Sequence, residues 1–190
     1  MSSGQNILNK IRNSIKVSYP TPSYEILSPI EYQSNLDKFI ASTKLVGGRV
    51  VCADNEQDVN QLIKSLYPEY STIASSLPYI HASINPDCVS DVSELNGVEI
   101  GVVEGQFGVA ENGCVWIPQT MKERAVLFIS ECLVIIIDRN DIVSNMHQAY
   151  ERIQNDSYGC FISGPSKTAD IAQALVMGAQ AAREVLVLIK

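Results

Sequence analysis

The run Ser163-Gly164-Pro165-Ser166-Lys167-Thr168-Ala169-Asp170 gathers two serines, a threonine and a lysine around a glycine. Hydroxyls and an ammonium at that density suit a phosphate or a carboxylate, and glycine lets the backbone come close to it. The run lies between a strand-like stretch, Cys160 to Ser163, and a helical pattern over Pro165 to Ala182. The expected setting is therefore the carboxyl end of a strand and the start of a helix, whose unpaired N–H groups favour negative charge. Plain capping accounts for part of the same composition, with Ser163 or Gly164 as cap and Pro165 as first helical residue. A full capping box is missing, since Ala169 and Ile171 stand three positions after Ser166 and Thr168. The glycine spacing is not that of a P-loop.

Two carboxylates come next. Glu111 stands before Asn112-Gly113 in the stretch Gly108-Val109-Ala110-Glu111-Asn112-Gly113. A carboxylate beside a tight turn can act as nucleophile or general base. Equally, it can be the solvent-facing residue before a hairpin. Glu104 follows an apolar run and is flanked by Gly101 and Gly105, so it points either into the same crevice or out of a loop. Cys114 and Trp116 read as packing, because a nucleophilic thiol needs a nearby histidine or cation and none is visible. Arg124 and Arg183 read as solvated charges that are also able to clamp an anion.

These groups need a scaffold, and the hydrophobic pattern supplies one. Gln5 to Lys16, Pro29 to Val46, Asn55 to Leu66, Asn140 to Ile153 and Pro165 to Ala182 carry helical spacing. Arg49 to Ala53, Thr72 to Ser75, Tyr79 to Ala82, Val98 to Val103, Cys132 to Asp138, Cys160 to Ser163 and Val185 to Ile189 read as strands. Phe107 to Glu111 and Cys114 to Ile117 flank Asn112-Gly113, the strongest short hairpin signal. Strands alternating with helices imply an α/β fold with a mostly parallel sheet flanked by helices, the hairpin being an antiparallel excursion. Pro20, Pro22 and Pro29 mark a linker, so residues 1–28 read as an N-terminal helix and linker and 29–190 as one α/β domain.

Composition bounds the partners. The 190 residues carry 14 basic and 21 acidic side chains, a net charge of −7, with no basic run. Nucleic-acid binding needs a basic stripe, and a membrane anchor a polybasic cluster; neither is present. The longest apolar run, Cys132 to Ile137, is far too short to span a bilayer. Met1 to Lys16 lacks the continuous apolar core of a signal peptide. The nearest two of the five cysteines, Cys114 and Cys132, stand 18 positions apart, and His81 and His147 share no short spacing. Metal and cluster sites usually need a tighter pair, so no metal is expected and the thiols read as reduced, in a cytoplasmic protein. Charge alone leaves small molecules and other proteins as partners, and the Ser163–Asp170 run narrows the small molecule to an anionic metabolite.

Three stretches together carry a family resemblance: Gly108-Val-Ala-Glu-Asn-Gly-Cys114, Ser163-Gly-Pro-Ser-Lys-Thr-Ala-Asp-Ile171 and Leu175-Val-Met-Gly178. They resemble the LUD-domain family of lactate utilisation proteins, and most the LutC/YkgG branch. The resemblance is strong from Val98 to Lys190 and weaker back to Pro29. It implies a NagB/RpiA/CoA-transferase-like fold and a role in oxidising L-lactate to pyruvate. It also implies that this chain is the non-cluster member of a complex, with iron–sulfur clusters only in its partners and no cofactor of its own. Carried over by position, the motif residues are Glu111, Gly113, Ser163, Gly164, Pro165, Ser166, Thr168 and Asp170. Lys167 and Glu104 join them as anion-binding candidates, with Glu111 as the catalytic one. Homo-oligomerisation is possible on this reading.

Two departures stand out. Gln180-Ala181-Ala182 occupies the place where the family often has His-Gly-Pro. Glu111-Asn112-Gly113-Cys114 replaces a common Glu-Thr-Gly-Thr and is closer to the Glu-Asn-Gly of CoA transferases. The alternative is thus a stand-alone enzyme on a CoA ester or sugar phosphate, with Glu111 as nucleophile or base.

Overall fold

The computed structural model describes residues 3–17, 19–20, 28–53, 58–153, 158–168 and 175–190. Its centre is a five-stranded sheet of β1 (Arg49–Cys52), β2 (Ile73–Ala74), β3 (Ile100–Glu104), β6 (Cys132–Ile137) and β11 (Glu184–Ile189). The spatial order is β1-β11-β6-β3-β2 and every pairing is parallel. β6 is apolar at all six positions because both its faces are covered. Leu133, Ile135 and Ile137 point into one core; Cys132, Val134 and Ile136 point into another.

The second core is closed by α3 (Val59–Leu66), through Val59, Leu62 and Ile63, and by Tyr67 and Ile80. The first is closed mainly by a second sheet. Its order is β7-β4-β5-β8, from β4 (Phe107–Val109), β5 (Cys114–Pro118), β7 (Ile142–Val143) and β8 (Gly159–Ile162). Val115 and Ile117 of β5 face the parallel sheet, while Cys114 and Trp116 face away. That outer face packs against α5 (Met146–Arg152), through Ala149 and Met146. The hairpin around Asn112-Gly113 is therefore the spine of a second sheet, not an excursion from the first. The layers run helix, parallel sheet, mixed sheet, helix.

α2 (Asn35–Leu45) reaches both sheets, touching β1, β4 and β7. It begins later than its helical pattern: Ser34, not Pro29, caps it, accepting the Asp37 N–H. Its end is a Schellman arrangement, in which the Gly48 N–H bonds to the Thr43 carbonyl and the Gly47 N–H to that of Lys44. α5 starts at Met146 and not at Asn140, because Asn145 caps it and Ile142–Val143 pairs with β4. Tyr79 to Ala82 forms no strand. α4 (Val126–Ile129) is a single turn over the first core. α1 (Ser3–Ser14) buries none of its residues. Among the described residues no helix is long and apolar enough to cross a membrane.

The helix expected over Pro165 to Ala182 is overturned in its described parts. β9 (Lys167–Thr168) pairs antiparallel with β10 (Val176–Met177), Met177 facing Lys167. The Gly178 N–H closes the pair on the Ser166 carbonyl, and Gly164 and Gly178 flank it at positive φ. Residues 169–174 lie outside the described residues, Asp170 among them.

Candidate functional site

The loop after β8 is built by the end of α2. Gly164 sits at φ +67, and a Cβ there would lie 2.7 Å from the Val46 carbonyl oxygen, so only glycine lets the two backbones meet. The Lys167 ammonium donates to that same Val46 carbonyl, one of the acceptors left over at a helix carboxyl end. The cation singled out for an anion therefore neutralises a helix terminus. No helix starts at Pro165, so the N-terminal dipole expected beside it is absent as well.

The hairpin turn is tied into the same place. Gly113, at φ +69, presses on α2, where an added Cβ would lie 2.5 Å from the Thr43 nitrogen. The Thr43 hydroxyl donates to the Gly113 carbonyl at 3.3 Å. The Ser163 hydroxyl donates to the Asn112 carbonyl at 3.0 Å. Gly113, Gly164 and Lys167 thus converge on the end of α2, and Ser163 joins them through the hairpin turn. Glu111 does not join them. Its backbone N–H donates to Ser144, and its Oε2 accepts the Met146 N–H at 3.2 Å, at the first turn of α5. Glu104 is elsewhere again. It ends β3 at the carboxyl edge of the parallel sheet, where the Tyr79 hydroxyl reaches its Oε1 at 3.4 Å and Asp138 and Asp141 share its cleft.

The cleft that the motif residues line is an open groove of about 390 Å³. One wall is Ser163 to Lys167, and the opposite wall is Gln180 to Ala182. The Ser166 N–H bonds to the Ala182 carbonyl at 2.9 Å and fixes the spacing of the walls. Leu127, Phe128, Phe161 and Val185 form an apolar floor. The Ser166 hydroxyl and the Gln180 amide are the neutral polar groups there that make no hydrogen bond to the described residues. Phe128 had no sequence signal; it is exposed because α4 is one turn long and turns it outward. Thr168 is half-buried in β9.

The thiols are set by burial. Cys114 is pushed up to about 12 and Cys132 to about 11, chiefly by desolvation, so both stay neutral at ordinary pH. Among the described residues no group of three or more His, Cys, Asp or Glu is placed to hold a metal ion.

The LUD domain family profile matches residues 91–189, a span that includes both walls of the cleft. The chain belongs to the LUD-domain family. Within this LUD-domain chain, α2, the support for the motif loop, precedes the matched span. Two named relatives match. Lactate utilization protein C 1 of Bacillus mycoides (strain KBAB4) is 31% identical over 101 residues, covering 48% of this chain and 43% of the relative. Lactate utilization protein C of Shouchella clausii (strain KSM-K16) is 29% identical over 102 residues, covering 50% and 44%. The match thus spans less than half the length of either relative. The LUD-domain fold itself is shared with a crystal structure of a DUF162 family protein from Deinococcus radiodurans. The TM-score is 0.61 at 12% identity, covering 85% of this chain and 99% of that one.

Proposed function

We propose that this LUD-domain chain serves lactate utilisation by binding a small carboxylate in the cleft between Ser163–Lys167 and Gln180–Ala182. The observation that carries the reading is the similarity to two proteins named lactate utilization protein C, joined to a family match that contains both walls. The Ser166 hydroxyl and the Gln180 amide would hold the carboxylate, and Leu127 and Phe128 would exclude water from its apolar end. Gln180 is a neutral donor where the family often carries histidine, so the grip on the anion here rests on hydrogen bonds, not on a titrating group. In this reading the oxidation itself runs through iron–sulfur partners, and this chain binds and positions.

The test is growth on L-lactate as sole carbon source after deletion of the gene, with complementation by wild type and by a Ser166→Ala/Gln180→Ala double variant. Lost growth, restored by wild type and not by the variant, is the expected result. Normal growth of the deletion strain, with no redundant pathway present, refutes the role. Full rescue by the variant refutes the cleft.

A further inference from the structure

A second, larger cavity of about 460 Å³ opens on the far face of the parallel sheet, away from the motif cleft. Ile63, Ile80 and Ile100 make its floor, each nearly fully buried, with Ile73 beside them. Tyr67 and Tyr70, stacked with ring centroids 5.7 Å apart, contribute aromatic carbon to the wall. Their hydroxyls are engaged outside the cavity: that of Tyr67 donates to Glu184 at 2.8 Å, and that of Tyr70 accepts from Arg183 at 3.4 Å. Neither Glu184 nor Arg183 lines the cavity.

The cavity is held open by its own hydrogen bonds. Asn60, on the first turn of α3, donates its amide to the Tyr79 carbonyl at 2.9 Å and accepts the His81 N–H at 2.7 Å. The loop bearing Ile80 and His81 is thereby fixed against α3, so the walls are preformed. Three charged or titratable groups stand at the rim. The Asp58 carboxylate is occupied at the start of α3, accepting from the Asn60 N–H at 2.8 Å and the Asn60 amide at 3.2 Å. The Lys64 side chain makes no hydrogen bond or ion pair with the described residues, and the His81 ring hydrogen-bonds to none of them but lies near enough to Asp58 to interact with its charge.

We propose that this cavity binds a small aromatic carboxylate, its ring on the isoleucine floor and tyrosine wall and its carboxylate at Lys64 and His81. An apolar floor of this extent rewards a ring more than a short acid such as acetate. The Lys64 ammonium offsets the single charge of a monoanion, and the His81 ring, which already interacts electrostatically with Asp58, adds a hydrogen-bond donor. A phosphate dianion would meet the Asp58 carboxylate with too little compensation. The site is independent of the proposed lactate role and lies on different elements.

The test is calorimetric titration of the full chain with indole-3-acetate, and with indole and acetate as the uncharged and ring-free comparisons. Indole-3-acetate is expected to bind measurably tighter than either comparison. Lys64→Gln, an exposed substitution that leaves the fold intact, is expected to weaken it about tenfold, the loss of one charge-assisted contact. Ile80→Trp fills the cavity and is expected to abolish binding. Lys44→Gln, an exposed position of α2 away from this cavity, is expected to change nothing. No binding of indole-3-acetate overturns the site. Equal binding of indole overturns the anion class, and binding unaffected by both Lys64→Gln and Ile80→Trp places the ligand elsewhere.

Discussion

Gly113→Ala is expected to be far more costly than the same change at Gly97, although both glycines sit at positive φ, +69 and +82. The backbone term is common to both: an L-residue in the left-handed region costs ~1–2 kcal/mol. The packing term is not. A Cβ at Gly97 meets nothing within 4 Å, whereas at Gly113 it lies 2.5 Å from the Thr43 nitrogen and 2.7 Å from the Ser42 carbonyl carbon. Both are helix backbone, which cannot rotate away, so α2 or the hairpin must shift, at ~1–3 kcal/mol for an overpacked contact. Gly113→Ala should therefore lose ~2–5 kcal/mol and Gly97→Ala ~1–2 kcal/mol. At a urea slope of ~2 kcal/mol/M, the midpoints of the two variants should differ by about 0.5–1.5 M. Trp116 is the chain's single tryptophan, buried in β5 beside the turn, and its fluorescence reports the transition. Equal losses at the two sites would refute the close approach of turn and helix, and with it the account of how the motif loop is held.

Alkylation should sort the thiols. At pH 8 exposed Cys52 and Cys88 should react quickly, and buried Cys114 and Cys132 only after unfolding, as counted by intact mass. The same burial makes stability fall in alkali. Cys114 and Cys132 titrate at about 12 and about 11 in the fold. Their contribution is complete below the unfolded thiol pKa of ~8.5 and drains away as pH rises from there through the folded values. The urea midpoint should drop between pH 8 and pH 10.5, and less so in a Cys114→Ala/Cys132→Ala variant. Lys167→Met should cost ~0.3–1 kcal/mol by freeing the Val46 carbonyl, a loss that high salt in the wild type should partly reproduce in urea melts. Glu111→Gln should cost no more than ~0.5 kcal/mol, as befits an exposed carboxylate at the start of α5. A larger loss would mean that Glu111 does more than meet the Met146 N–H.

The parallel sheet was legible because its strands announce themselves. Leu133 to Ile137 and Val185 to Ile189 are continuous apolar runs, and such runs arise when both faces are covered. The Asn112-Gly113 turn was legible for a local reason, the tolerance of both residues for positive φ. What covers each face was not legible. Ile142–Val143 is two residues long, too short to show alternation, yet it completes the second sheet. The stretch from Pro165 to Ala182 misleads because its alanines, leucine and glutamines favour a helix locally. The described parts obey tertiary constraints instead: Gly164 against Val46, Lys167 on the Val46 carbonyl and Gly178 bonded to Ser166. At the site, the motif residues were found by type, but their partners were not. Thr43 lies 70 positions before the turn it supports, Val46 lies 121 before the Lys167 it receives, and neither carries a chemical signal of its own.

That arrangement changes how the motif is to be probed. Gly113, Ser163, Gly164 and Lys167 all spend their distinctive property on the end of α2 or on the hairpin turn: a positive φ, a hydroxyl on the Asn112 carbonyl, an ammonium on the Val46 carbonyl. Substituting any of them loosens the loop before it touches a ligand, so lost function there reads first as lost positioning. Ser166 and Gln180 differ, because their side chains line the groove and make no bond to the described fold. A Ser166→Ala or Gln180→Ala variant that keeps the wild-type urea midpoint but loses function separates ligand contact from scaffold. The same loss with a lowered midpoint would show that even these two residues act through the fold. Since the backbone N–H of Ser166 already spans the walls to Ala182, the hydroxyl is free to be removed without parting them.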